Sequence, residues 1–242
     1  MFFAFIKIFT ISAFTDLNTA ITSPLGTASF ITYIWLTQAF VMMQPLNVNG
    51  EDIDSIRSGS IAYELARPVD LFSLMFMKTF ALRFANSAIR AVPILMINVL
   101  LFPLVGLGAF SITVPSVSAL LLFLPSLIAS YFVSTLITVL IYAITLHTVN
   151  ATNFIGLLNS AAFVLSGTLI PLPFFPEFMQ KILIIQPFKS VIDTPAMILS
   201  GQYALEESLL FILLQIVWII VLFCLCASLF RKGLKKMMVL GG

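Results

Sequence analysis

His147 is the only histidine in the chain, and no Asp or Glu lies near it in sequence. An imidazole needs a carboxylate or second base beside it to act in a catalytic set. Alone near the end of an apolar run, His147 reads as a snorkelling or interhelical hydrogen-bonding residue, with a proton relay as the alternative. Cys224 and Cys226 are the only cysteines. Two positions apart on a helix is about 200° around the axis, so they suit neither a disulfide nor a metal site and read as small apolar fillers. There is no G-x-x-x-x-G-K-[ST] phosphate loop, no H-E-x-x-H and no G-x-S-x-G. Enzymatic chemistry therefore has no nucleophile, metal site or phosphate loop to rest on.

What the chain does have is apolar length. Hydrophobic residues make up 60% of it and charged residues 9%, and its mean hydropathy is +1.12. A soluble domain carries about 25% charged residues, so the surrounding solvent must be lipid over most of this chain. The net charge of +2 is too small to argue for nucleic acid. The N-terminus is apolar without a basic leader, and Lys7 interrupts it; a cleaved signal peptide is not expected.

A bilayer-spanning helix needs about 20 mainly apolar residues. No charged residue occurs from Ala91 to Pro176, which leaves room for three spans, or from Leu17 to Gly50, which leaves room for one. The charge-free run Ser208 to Phe230 fits one more. Six spans are expected: Phe2 to Phe14, Ala28 to Met43, Ala91 to Leu107, Ser118 to Ile144, Ala151 to Ile170, and Leu209 to Phe230. The first is short for about 30 Å of hydrocarbon. It must start upstream of Met1, continue through Asp16, or lie in the interface and leave five crossing helices.

Lys and Arg in short loops set the orientation. Arg57, Arg67, Lys78, Arg83 and Arg90 between spans two and three share a side with Arg231, Lys232, Lys235 and Lys236 of the tail. The opposite side has Lys181 and Lys189 among Asp16, Glu177, Asp193, Glu206 and Glu207. The basic side, with the C-terminus, is expected in the cytoplasm.

Two non-spanning segments stand out. From Gln44 to Arg90, Ser60 to Ala66 reads as a short helix closed by Pro68, and Phe72 to Arg90 as an amphipathic helix suited to the membrane surface. Pro171 to Glu207 is broken by five prolines yet apolar, which suggests short helices dipping into the outer leaflet, where irregular backbone needs protein or water to satisfy it. No repeat or soluble domain is visible.

The run Ile56-Arg57-Ser58-Gly59-Ser60-Ile61-Ala62-Tyr63-Glu64-Leu65-Ala66-Arg67-Pro68-Val69-Asp70 resembles the I-x-x-G-x-I-x-x-x-L-x-R-P-x-D signature of ABC-2-type permeases, the membrane subunits of ATP-driven exporters. Ser166-Gly167-Thr168-Leu169-Ile170-Pro171-Leu172 followed by Phe175-Pro176 is similar to their S-G-x-x-x-P-L-x-x-F-P pattern. The two motifs occur in order and on the expected sides, and the resemblance runs from about Ile31 to the C-terminus. It implies one all-α transmembrane domain over 1–242, with about six helices, a cytoplasmic coupling segment over about 44–90 and outer re-entrant helices over about 171–207. It implies a second permease half, as homo- or heterodimer, and a separate ATPase subunit that binds ATP and magnesium, this chain needing no cofactor. Arg57, Gly59, Ile61, Glu64, Leu65, Arg67 and Asp70 would meet that ATPase. Ser166, Gly167, Pro171, Phe175 and Pro176 would form the outer re-entrant gate. Family members usually begin with an amphipathic interface helix, which this sequence lacks.

Three other functions compete with this reading. A secondary carrier or channel would gain from a carboxylate at membrane depth, and the expected spans have none. A membrane-embedded enzyme would need a convergent His, Asp or Ser cluster. An assembly protein would bind a partner without substrate-stimulated ATP hydrolysis. Thr32, Tyr33, Gln38, Asn153, Asn159 and Ser160 either face a substrate cavity or act as packing glue. The residues that would touch a cargo are unassigned. The charge bias makes one direct prediction: a fluorescent protein fused after Gly242 should be bright, and alkaline phosphatase at the same point inactive; the opposite pair of results would reverse the topology.

Overall fold

The computed structural model describes residues 2–17, 25–45, 48–65, 69–148 and 152–240. Among them the chain is helical. Helix α1 runs Phe2–Leu17, α2 Thr27–Ala39, α3 Gly50–Ser58 and α4 Ala62–Leu65. Helix α5 starts at Leu71–Met96, continues through a π-helical turn Ile97–Leu101 and ends with Phe102–Leu104. Then come α6 Val117–Thr145, α7 Thr152–Leu165, α8 Glu177–Ile185, α9 Asp193–Leu199 and α10 Leu205–Leu240.

Three helices among the described residues are long and apolar enough to cross a membrane: Leu71–Leu104, Val117–Thr145 and Leu205–Leu234. The other expected spans are shorter helices. α1 has 16 residues, α2 has 13 and α7 has 14, against about 20 for a crossing. Sequence and structure differ most at α5. The expected break at Ala91 is absent, and the stretch expected to lie on the surface is one helix with the span. Asp70 starts that helix by accepting from the Ser73 backbone N–H at 3.1 Å, an N-cap contact. At 34 residues α5 is about 51 Å long. Its basic residues do not break it because they find partners inside the bundle: Arg90 donates to the Gln38 carbonyl at 3.0 Å, and Arg83 is buried.

Helix α6 is the centre. Its buried residues lie all around it from Ala129 to Ala143, and α10, α9, α5 and α3 pack against it. It carries Ser126, Ser130, Ser134, Thr138 and Tyr142, one hydroxyl every fourth residue. Positions four apart form a continuous ridge on a helix, and each element along this ridge is hydrogen-bonded to it. Gln215 of α10 donates to Ser130 Oγ at 3.0 Å and to the Ser190 carbonyl at 2.9 Å. Ser130 itself reaches the Ser190 carbonyl at 2.8 Å. Ser134 donates to the Met43 carbonyl and Thr138 to the Pro45 carbonyl, so the turn after α2 is bonded to the same ridge.

Aromatic packing fixes α1. Phe5 meets Trp35 edge-on at 5.3 Å and Phe102 at 5.8 Å between centroids, while Trp35 Nε1 donates to the Phe110 carbonyl at 2.8 Å. The loop after α5 is therefore folded back onto α2.

The ridge generates a stability prediction. Ser130→Leu inserts bulk at a fully buried position and leaves Gln215 and Ser190 short of partners. It should destabilise the chain by about 1–3 kcal/mol, whereas Ser118→Leu, at an exposed position of the same helix, should stay within about 0.5 kcal/mol. Denaturation midpoints in one detergent would compare them, and equal effects would remove the ridge's role.

Candidate functional site: an anchored short helix and a glycine turn

The first motif folds around α3. Asn49 opens that helix by accepting from the Glu51 N–H at 3.1 Å. Asp52, Ile53 and Ile56 are buried on its inner side, while Glu51, Asp54 and Arg57 are exposed. The Asp52 carboxylate pairs with Lys78 of α5 at 2.5 Å and accepts from the Tyr142 hydroxyl of α6 at 3.4 Å. That hydroxyl in turn accepts from the Asn49 N–H at 3.3 Å. One acidic side chain thus ties α3 to two long helices.

The candidate coupling residues follow from there. Arg57 is exposed in the last turn of α3. Gly59 ends the helix at φ 78°, a left-handed conformation that costs an L-residue about 1–2 kcal/mol. Ile61 is buried, and its N–H reaches back to the Ser55 carbonyl at 3.0 Å. Glu64 is partly exposed on α4. Asp70 is committed to capping α5, accepting also from the Ser73 hydroxyl at 3.2 Å. The side chain of Leu65 and the whole of Arg67 lie outside the described residues. Arg57 to Glu64 therefore form one continuous helix-turn-helix, and Asp70 belongs to the next element.

Behind α3 lies a cavity of about 270 Å³, lined by Asn49, Asp52, Thr79, Arg83, Asn86 and Tyr142 with three apolar side chains. Arg83 is 5% exposed. Its guanidinium donates to Ser134 Oγ, to Thr138 Oγ1 at 2.7 Å and to the Pro45 carbonyl at 3.3 Å.

The second motif sits in a tight polar turn after α7. Ser166 is fully buried, and Gln44 Nε2 donates to its hydroxyl at 2.7 Å and to that of Thr168 at 2.6 Å. The Lys7 ammonium of α1 donates to the Thr168 carbonyl. Gly167 has φ 74°, and a Cβ there would lie 2.4 Å from the Tyr33 hydroxyl and 3.0 Å from Asp193 Oδ1. Glycine is thus required twice over, by conformation and by space. Pro171 is buried and opens the short turn Leu172–Phe174. The Phe175 carbonyl accepts from Gln180 at 2.7 Å, and Pro176 is exposed at the start of α8.

Under this turn is a charged cluster. Lys189 and Asp193 form an ion pair at 3.0 Å with both side chains almost fully buried. Tyr33 donates to Asp193 Oδ1 at 2.8 Å, and Lys189 donates to the Tyr203 hydroxyl at 2.7 Å. The ammonium also lies 4.6 Å from the centre of the Phe211 ring, a cation–π distance. Burial alone would lower the Lys189 pKa, but the Asp193 carboxylate and the Tyr203 oxygen outweigh it and raise it. The Tyr203 hydroxyl is pushed up to about 12, chiefly by burial and then by Asp193.

A family comparison now bears on these two motifs. The family described as "ABC-2 family transporter protein" matches residues 3–241. The chain belongs to the ABC-2 transporter family. It is a membrane transport component, the permease of an ABC transporter, and not itself catalytic. No curated protein and no solved structure gave a match.

In this permease the span-two polar residues are packing glue rather than a lining. Thr32 and Tyr33 are fully buried and Gln38 nearly so, and Thr32 bonds to Thr113 at 2.9 Å. Of the span-five set, the side chain of Asn153 lies outside the described residues, Asn159 is partly exposed and Ser160 exposed. His147 Nε2 lies 3.1 Å from the Leu229 carbonyl of α10, the interhelical hydrogen bond expected of it. Cys226 is buried and Cys224 exposed, as opposite helix faces require.

The permease's internal charges, Asp52, Lys78, Arg83, Lys189 and Asp193, were not legible as partners, because each pair joins separate turns or elements. The i, i+4 spacing of Lys189 and Asp193 was the one available signal. A double-mutant cycle checks the turn. Gly167→Ala should cost about 2–4 kcal/mol from left-handed strain plus overpacking. Removing the clashing oxygen with Tyr33→Phe should recover part of that, giving a total smaller than the sum of the single changes. Simple additivity would mean that the close approach is not what excludes a side chain.

Proposed function

We propose that this permease is the membrane half of an exporter driven by ATP bound, with magnesium, and hydrolysed on a separate ATPase subunit. The observation that carries this reading is the two-faced helix α3. One face is anchored through Asp52 to Lys78 and Tyr142, and the other presents Glu51, Asp54 and Arg57 at the surface. A partner docked on the exposed face would move α5 and α6 with it, since the buried Asp52 carboxylate bonds to both.

Arg57, Gly59, Ile61 and Glu64 would supply the docking turn, together with Leu65 and Arg67. Asp70 would act through its cap on α5 rather than by direct contact. Deeper in the bundle, the turn Ser166 to Thr168, bonded to Gln44, would lead with helices α8 and α9 into the re-entrant outer gate. Pro171, Phe175 and Pro176 would set the bends between them. The exposed apolar faces of α5 and α10 leave surface for lipid and for a second permease half. In this arrangement the C-terminus and residues 44–90 face the cytoplasm of a cell that exports through its inner or plasma membrane.

The test is co-purification from native membranes. A tagged chain should bring down an ATPase carrying a phosphate loop in near-equal amount, and deletion of Ser58 to Asp70 should abolish that while the protein still reaches the membrane. A chain recovered alone, under conditions that preserve other ABC complexes, would overturn the reading and leave an ATP-independent carrier or channel to be tested by gradient-driven flux.

A further inference from the structure

Arg83 has a requirement that the described residues do not meet. Its guanidinium is almost fully buried, and a buried charge is ordinarily paired with an opposite one. Its partners in the structure are neutral oxygens: Ser134 Oγ, Thr138 Oγ1 and the Pro45 carbonyl. Both hydroxyls pass their own protons on, to the Met43 and Pro45 carbonyls, so their lone pairs point at the guanidinium and hold it in place. Those contacts use three of its five N–H groups.

The nearest candidate acid does not compensate it. Asp52 lines the same cavity but is engaged by Lys78 at 2.5 Å and by the Tyr142 hydroxyl. Among the described residues lining the cavity the charges are Arg83 and Asp52, and Asp52 is already paired with Lys78, which leaves the Arg83 charge without a partner of its own among them. The remaining walls supply groups that can bind an oxyanion or its neighbours: the Asn86 amide, the Thr79 hydroxyl and the Asn49 amide. A volume of about 270 Å³ admits a phosphate-sized group with atoms to spare.

We propose that this cavity is a binding site for a phosphate-type oxyanion, with the Arg83 guanidinium as its charged contact and Asn86 and Thr79 as hydrogen-bonding walls. The oxyanion comes either from the headgroup of an anionic lipid or from a free phosphate-bearing solute. The guanidinium lines the cavity and has N–H groups beyond those three contacts, and an arginine side chain suits the oxygens of a phosphate. The site requires no ATPase and no knowledge of the cargo, so it stands or falls separately from the exporter reading.

The experiment is a thermal-stability titration of the purified full-length chain in a neutral detergent. The probes are phosphatidylglycerol, phosphatidylcholine and inorganic phosphate, each added to saturation. An anionic-lipid site predicts a saturable rise in Tm of about 5 °C or more at a hundredfold excess over Kd with phosphatidylglycerol only. A solute site predicts the same rise with inorganic phosphate. Arg83→Gln should abolish the response. Because that variant loses three internal hydrogen bonds, Asn86→Glu is the second test. Its carboxylate sits one helical turn from Arg83 on α5 and supplies the missing charge from within. It should keep the fold, raise the Tm without added anion, and respond to neither probe. No response in the wild-type chain, or an undiminished response in Asn86→Glu, overturns the proposal.

Discussion

The hydroxyl ridge of α6 is the interaction on which the other contacts depend. Lipid offers no hydrogen bonds, so a polar group in an apolar bundle must be satisfied by protein. On α6 those groups recur every fourth residue, and from Ser130 to Tyr142 they bind α10 and the segment before α9 at Ser130, the turn after α2 at Ser134 and Thr138, and α3 at Tyr142. Contacts of this kind contribute on average only about 0.6 kcal/mol each in a membrane protein. Their value is in selecting a register: a helix slipped by one residue turns the ridge through about 100° and leaves every partner unpaired.

Charge is distributed on the same logic. Among the described residues the bundle holds the buried pair Lys189–Asp193, the buried Asp52 paired with a half-exposed Lys78, and the buried Arg83, and each joins elements or turns that apolar packing alone would leave free to slide. Asp52 with Lys78 fixes the short α3 to the long α5. Lys189 with Asp193 stiffens the segment that leads into α9, and Tyr33 ties that segment to α2. Buried pairs of this type add little net stability but are costly to break. They suit a protein in which some elements have to move as rigid bodies while others yield.

Much of this was legible from sequence. The apolar runs mark α6 to within a few residues and the apolar part of α10, the family resemblance was correct, and of the readings open for His147 its contact with the Leu229 carbonyl fits the hydrogen-bonding one. The failures have a common cause. Phe72 to Arg90 reads as a surface helix because Lys78, Arg83 and Arg90 interrupt it, yet each of those residues has a hydrogen-bond partner distant in sequence, at Asp52, Ser134 and Gln38. Periodicity reports where a side chain points but not what awaits it there. Tyr33 illustrates the same limit: nothing local distinguishes a phenol that lines a cavity from one that seals a glycine turn. The ridge itself was present in the sequence as Ser126, Ser130, Ser134, Thr138 and Tyr142. Its every-fourth-residue spacing names no partner, because those partners lie on other elements.

The shape of that ridge constrains motion. From Ser130 to Tyr142 it climbs about 18 Å and winds about 120° around the helix. The contacts at its two ends therefore hold α6 from different sides. A rod gripped in that way resists rolling, because any roll would shear one grip leftward and the other rightward. It also resists tilting, since its grips are far apart along its length. What remains cheap is translation of α6 together with everything fastened to it. In the proposed exporter, a push delivered at α3 would therefore carry α6 and the elements bonded to it as one body.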